Sequence, residues 1–180
     1  MGRIVIVAGP PGAGKTTVAD RLSRRTAAPL SLHMHTDDFY GYIRNGFVPP
    51  WLPQSRHQNI VLLNAMAATA AVCARGGYEV YVDGVVGPWF LGPWIQAAQG
   101  QDLDLRYVLL MPDEATTVAR ATGRTGPMAM TDADVSRRMW RAFDAHERPA
   151  GCRIDSTGRG VAETVEAVLD GLAAGRFRPA

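Results

Sequence analysis

The stretch Ile4–Asp20, IVIVAGPPGAGKTTVAD, constrains this chain more than any other. A β-branched run, RIVIVA, leads into glycines and prolines, after which a lysine and two threonines open a helical pattern. The run suits a buried parallel strand. Val18, Ala19 and Leu22 fall on one side of a helix expected over Lys15–Thr26. Between strand and helix, Gly9-Pro10-Pro11-Gly12-Ala13-Gly14-Lys15-Thr16 fits G-x-x-x-x-G-K-[ST], the P-loop. Glycines let the backbone curl until successive N–H groups point inward at an anion. The helix that follows aims its positive end at the same place. A cradle for the phosphates of ATP is therefore expected from Gly9, Pro11, Gly12, Ala13, Gly14, Lys15, Thr16 and Thr17. In such a cradle Lys15 reaches the β- and γ-phosphates, and the Thr16 hydroxyl holds Mg²⁺.

The rest of the composition narrows the setting. A chain of 180 residues, 47% hydrophobic and 20% charged, is expected to form one domain around a full-sized core. Its net charge of +2 is too small to argue for nucleic acid or a membrane surface as partner. Cys73 and Cys152 form neither a spaced metal motif nor a disulfide framework, which suits a reducing cytoplasm. No signal peptide and no myristoylation pattern is seen at the start, where Ile6 stands in place of Ser or Thr. No apolar stretch approaches the roughly 18 residues that span a bilayer. Self-association is left open.

Strand-like runs alternate with helical patterns along the chain. Leu30–His35, Tyr78–Asp83, Leu105–Met111 and Cys152–Asp155 read as strands two to five. Asn59–Arg75, Asp113–Thr122 and Asp132–Glu147 read as helices. Val161, Val165, Val168, Leu169 and Leu172 mark a last helix, stopped by Gly175. The alternation predicts an α/β fold: a five-stranded parallel sheet with helices on both faces, a three-layer sandwich. Ligands in such sheets sit beyond the carboxyl ends of the strands. That rule selects Thr36-Asp37-Asp38-Phe39-Tyr40 after strand two and Asp83-Gly84 after strand three. Phosphoryl transfer to an alcohol needs one carboxylate to orient the hydroxyl and accept its proton, and another to help hold Mg²⁺. Asp37 suits the first task and Asp83 the second. Plainer roles exist beside these: a helix N-cap for Asp37-Asp38 and a turn residue for Asp83.

With these motifs placed, the whole chain resembles the small P-loop kinases of the nucleoside-monophosphate-kinase fold. TDDFY is similar to the D-S-F-Y of uridine kinases and to the D-x-D of shikimate and gluconate kinases, with His35 in place of the first aspartate. On either comparison Asp37 falls on the acceptor-binding, base-like position. VDGVVGPWFLG is similar to the strand and apolar loop of chloramphenicol phosphotransferase. Adenylate kinases carry D-G-(F/Y)-P-R there. Val85 and Val86 take the place of that aromatic residue and proline, and no arginine follows to grip a second phosphate. A non-nucleotide acceptor is implied.

Two further regions complete the expectation. Arg120 and Arg124, four apart, read as the arginines of a lid over about 120–131, hinged at Gly126, Pro127 and Met128. The resemblance puts Arg120 near the adenine, and Arg124 suits transition-state charge. A solvated helix end is the plainer account. Residues 38–58 form an aromatic, proline-rich insertion with no regular pattern, expected to bind the acceptor. Asp37, Asp38, Phe39, Trp51, Arg56, Trp89 and Phe90 are the expected acceptor contacts, with His57, Asn59 and Trp94 as further candidates. Packing as core beneath a loop is the equal alternative for each aromatic.

The function expected is an ATP- and Mg²⁺-dependent phosphotransferase acting on a hydroxyl of a small antibiotic or sugar-like metabolite. A kinase of sugar nucleotides resembling zeta toxins, or a nucleotide-binding regulator, are the alternatives. Guanine-reading N-K-x-D is absent, and the weak net charge disfavours a polynucleotide acceptor.

Overall fold

In the computed structural model, which describes residues 2–125 and 130–179, five parallel strands form one sheet in the order β2-β3-β1-β4-β5. The strands are β1 (Arg3–Ala8), β2 (Ser31–His35), β3 (Glu79–Gly84), β4 (Asp104–Leu110) and β5 (Arg153–Ile154). The helices are α1 (Lys15–Arg25), α2 (Thr36–Gly41), α3 (Arg56–Arg75), α4 (Gly92–Gln99), α5 (Glu114–Thr122), α6 (Ala133–Ala145) and α7 (Val161–Ala173). The parallel α/β sandwich expected from the alternation is the architecture observed. Strand limits differ from the sequence expectation by a residue or two.

The pleat of β1 divides the core. Ile4, Ile6 and Ala8 face α3, α4 and α6, in a cluster that includes Met66, Trp94 and Phe143. Val5 and Val7 face α1 and α7, against Leu22, Val165 and Val168. Both faces of the sheet are covered, as the near-continuous apolar β1 requires. Asp113 caps α5 by accepting from Thr116 N at 2.6 Å, and Asp132 caps α6 by accepting from Val135 N at 2.9 Å.

Three elements depart from expectation. Residues 38–58 are not one irregular loop: α2 extends to Gly41, and a 3₁₀ turn at Pro53–Ser55 leads into α3 at Arg56. The segment between is fastened by side chains. Gln58 clamps Val48 through both its backbone N and O (2.9 and 2.7 Å), and buried Asn59 donates to Pro50 O (2.9 Å) and Ser55 Oγ (3.0 Å). Asn59, expected as a possible acceptor contact, is thus engaged within the protein as a buried structural residue. Second, the loop after β3 folds into α4, and Trp94 is fully buried there as core. Third, α5 stops at Thr122 with Gly123 as its C-cap, so Arg120 and Arg124 do not share a helical face.

Candidate active site around the P-loop

The P-loop lies between the end of β1 and the start of α1. Gly12 and Gly14 have φ of +88° and +87°, a region side-chain-bearing residues rarely adopt. A side chain on Gly12 would also run into the backbone of α5 at Thr117, so this glycine lets α5 close against the loop. Gly14 and both threonines at the head of α1 are exposed, with no acidic residue in that first turn, which leaves the helix's positive end open to an anion. Lys15 is buried, and its ammonium donates to Pro10 O at 2.9 Å. Burial pulls its pKa down to about 8; Asp83 and Asp37 pull upward, and Arg124 adds to the lowering. Asp83, Asp37 and Arg124 therefore all lie within electrostatic reach of Lys15.

Asp83 is the fixed point of the site. Its side chain is fully buried at the carboxyl end of β3. Thr16 Oγ1 donates to its Oδ2 at 2.6 Å, His33 Nε2 lies 2.7 Å from Oδ1, and His35 Nδ1 lies 3.0 Å from both oxygens. Burial alone would raise this carboxyl's pKa; the hydrogen bonds from His33, His35 and Thr16 outweigh it and hold the group well below the usual carboxylate range. An ionised carboxylate only accepts, so each histidine presents an N–H to it. The His35 pKa is raised, first by its bond to Asp83 and then, against burial, by the charges of Asp83, Asp37 and Asp38.

His33 was not among the residues that sequence reasoning selected. In SLHMH, Leu32 and Met34 pack on one face of β2, and His33 and His35 project from the other. Pairing with β3 places His35 beside Asp83 and His33 beside Tyr81. The alternation was legible; the strand pairing that gives it meaning was not.

Asp37 and Asp38 are exposed in the first turn of α2, with His35 at the N-cap position, so neither aspartate is the cap itself. Carboxylates there complement the helix dipole. Thr36, the first residue of α2, is buried in the space that a side chain on Gly84 would need. The Asp-Gly step thus serves both ends: Asp83 reaches Thr16, and Gly84 admits Thr36.

The remaining expected residues occupy the surroundings. Arg120 on α5 and Arg124 beyond it are exposed. Gly126, Pro127 and Met128, the expected hinge, lie outside the described residues. On α6, Arg137 and Arg141 pair with Glu114 of α5 at 3.3 and 3.1 Å, while Arg138 is exposed. Phe39 is half-buried, and Tyr40 donates to Asn59 at 3.1 Å. Trp51 is 48% exposed, and Arg56 and His57 are exposed at the start of α3. Trp89 stacks between Phe90 (6.0 Å), Phe143 (5.1 Å) and His146 (5.2 Å), remaining 39% exposed.

Thr16 and Asp83 put two hard oxygen donors side by side. Among the described residues, no group of three or more His, Cys, Asp or Glu is arranged to hold a metal. Mg²⁺ takes few protein ligands and completes its shell with phosphates and water, so it is an ion that Thr16 and Asp83 could help to hold. No helix among the described residues is long and apolar enough to cross a membrane.

Several solved structures share this fold. The structure of the tunicamycin resistance protein of Deinococcus radiodurans is similar at 16% identity and TM-score 0.69, covering 100% of this chain and 99% of that one. A gluconokinase of Sinorhizobium meliloti 1021 is similar at 20% identity and TM-score 0.67, over 96% and 93% of the two chains. The Mycobacterium tuberculosis APS kinase, in complex with AMPPNP and APS, is similar at 18% identity and TM-score 0.70, over 96% and 98%. At these identities the likeness shows the fold, that of small P-loop kinases. No curated protein matches the sequence significantly. The family model described as an AAA domain matches residues 4–149, most of the sequence, and the chain belongs to this P-loop family.

Proposed function

We propose that this chain is a kinase that moves the γ-phosphoryl group of ATP to a hydroxyl of a small non-nucleotide molecule, sugar-like or antibiotic. The observation that carries the reading is the exposed Asp37 at the carboxyl end of β2, within the electrostatic reach of the buried P-loop Lys15. A carboxylate so placed can hold an acceptor hydroxyl beside the terminal phosphate. The acceptor oxygen bonds to the γ-phosphorus, the bond from that phosphorus to the β–γ bridging oxygen breaks, and ADP leaves. The acceptor's proton passes to Asp37. Lys15, released from Pro10 O, and Arg124 offset the charge on the transferring group. Thr16 and Asp83 would hold Mg²⁺, which would supply neutralisation of the phosphate charge.

The likeness to a gluconokinase and to a tunicamycin resistance protein supports a small-molecule acceptor. So does Gly87-Pro88-Trp89-Phe90, which stands where a second phosphate would need an arginine and suits a ring-shaped ligand. The test is a pair of variants. Asp37→Asn should keep ATP binding and lose about two to four orders of magnitude in transfer, the usual reach of general-base catalysis. Asp38→Asn should lose less, because its side chain diverges from its neighbour's. Equal transfer by Asp37→Asn and the unmodified protein would remove Asp37 from the reaction.

A further inference from the structure

We propose that His35 is the positioning residue of this site, tying Asp37 on the acceptor side to Asp83 on the nucleotide side. The inference rests on the reading that Asp37 meets the acceptor. Its basis is a continuous chain of polar contacts: Thr16 to Asp83 at 2.6 Å, Asp83 to His35 at 3.0 Å, and His35 Nε2 to Asp37 Oδ2 at 3.6 Å. The last separation is longer than a hydrogen bond and falls within ion-pair distance. One imidazole ring thus spans two carboxylates that serve different ligands.

The surroundings make the ring a rigid spacer. His35 is the last residue of β2 and holds the N-cap position of α2, with extended backbone angles of φ −92° and ψ 120°. It stands at the one point where the strand beside Asp83 becomes the helix that carries Asp37. His33 Nε2 also lies 2.7 Å from Asp83 Oδ1, a second contact that holds the carboxylate in place. Thr36, seated over Gly84, fixes the next residue. Among the described residues Asp37 has no comparable anchor. It is about half exposed, and α2 has only six residues with no side-chain cap. Without the ring its rotamers are free, and ordering them at each turnover costs entropy. With the ring, a nucleotide that draws on Thr16 and Asp83 also moves Asp37.

The experiment has two arms. In the first, backbone amide NMR follows the protein as Mg²⁺ and a non-hydrolysable ATP analogue are added. In the unmodified protein the amides of Gly12–Thr17 and those of Asp37 and Asp38 should both shift. His35→Phe keeps a ring of similar shape without nitrogens; the P-loop amides should still shift and the α2 shifts should fall by more than half. His35→Gln retains two N–H donors on one amide and should restore most of the response. Equal α2 shifts in His35→Phe and the unmodified protein, or no α2 shift in the unmodified protein, would overturn the proposal. In the second arm, transfer to an acceptor should show kcat lowered tenfold or more by His35→Phe, with KM for ATP changed less than threefold and with partial rescue by His35→Gln. In an Asp37→Asn background His35→Phe should add almost nothing, because it acts through Asp37. Additive losses would overturn it too. If no hydroxyl compound accepts phosphate, the functional reading fails, and the NMR arm still decides the role of His35.

Discussion

At the scale of single residues, the site is a set of polar groups that burial makes consequential. Asp83 illustrates this: burial alone would raise its pKa, and the hydrogen bonds from two histidines and Thr16 hold it low. Gly84 beside it matters for a different reason. A methyl group there would meet Thr36, whose side chain fills the space. Gly84→Ala should therefore destabilise the protein by about 1–3 kcal/mol, the usual cost of overpacking. It should also depress transfer by displacing the start of α2. Chemical denaturation and a kinase assay check the two effects, and a variant as stable and active as the parent would contradict them. Much of this was legible in the residues themselves, because P-loop chemistry is encoded in contiguous spacing. His33 was not: its role depends on which strand lies beside β2, and no local pattern states that.

At the scale of elements, the acceptor-side segment shows how far local pattern reaches. Its prolines disrupt any regular period, so residues 38–58 read as loop. The structure instead stitches the middle of the segment to α3 through Gln58 and Asn59. Those bonds are side chain to backbone, which periodicity does not reveal. Asn59→Ala should cost about 1–3 kcal/mol, because it removes one of the two side-chain donors to the part-buried Pro50 carbonyl, Ser55 Oγ being the other, and leaves Tyr40 without its acceptor. Urea denaturation measures it, and a loss under a few tenths of a kcal/mol would mean that water replaces the amide without penalty. The missed α4 has a similar origin: Gly-Pro-Trp-Ile looks like loop, yet proline is well suited to a helix's first turn and Trp94 supplies the buried anchor. The arginine spacing misled in the opposite direction, since Gly123 ends α5 before Arg124. Arg124 still acts on Lys15 from beyond the helix.

At the scale of the whole molecule, the two ends of the sheet do different work. The carboxyl ends carry the site; the amino ends carry a charge network. Arg3 bridges Glu79 (3.0 Å) and Asp104 (2.8 Å), and buried Arg106 binds Asp104 (2.7 Å) and the carbonyls of Gly175 and Arg176. Burial would raise the Asp104 pKa, and the bonds from Arg106 and Arg3 reverse this and lower it. A carboxylate with a depressed pKa in the folded state stabilises the protein fully above its unfolded value, about 3.9 for Asp, and loses that contribution as pH falls through the folded one. Asp104→Asn should lower the melting temperature at neutral pH and flatten its decline in acid; parallel pH profiles for variant and parent would contradict this. Sequence showed the sheet's parallel layout, because alternation of strands and helices admits few other folds. Charge pairs between the starts of β1, β3 and β4 depend on strand order and stayed hidden. The central claim, that the site transfers phosphate to a small molecule, meets its most direct test in one measurement. Mg²⁺ and ATP labelled in the γ-position are incubated with the protein and a panel of sugars and hydroxylated antibiotics, with Lys15→Ala as control. The account predicts label on the hydroxyl of one acceptor class, abolished in Lys15→Ala. Label appearing only as inorganic phosphate across the whole panel, or preferentially on a nucleoside monophosphate, would contradict it.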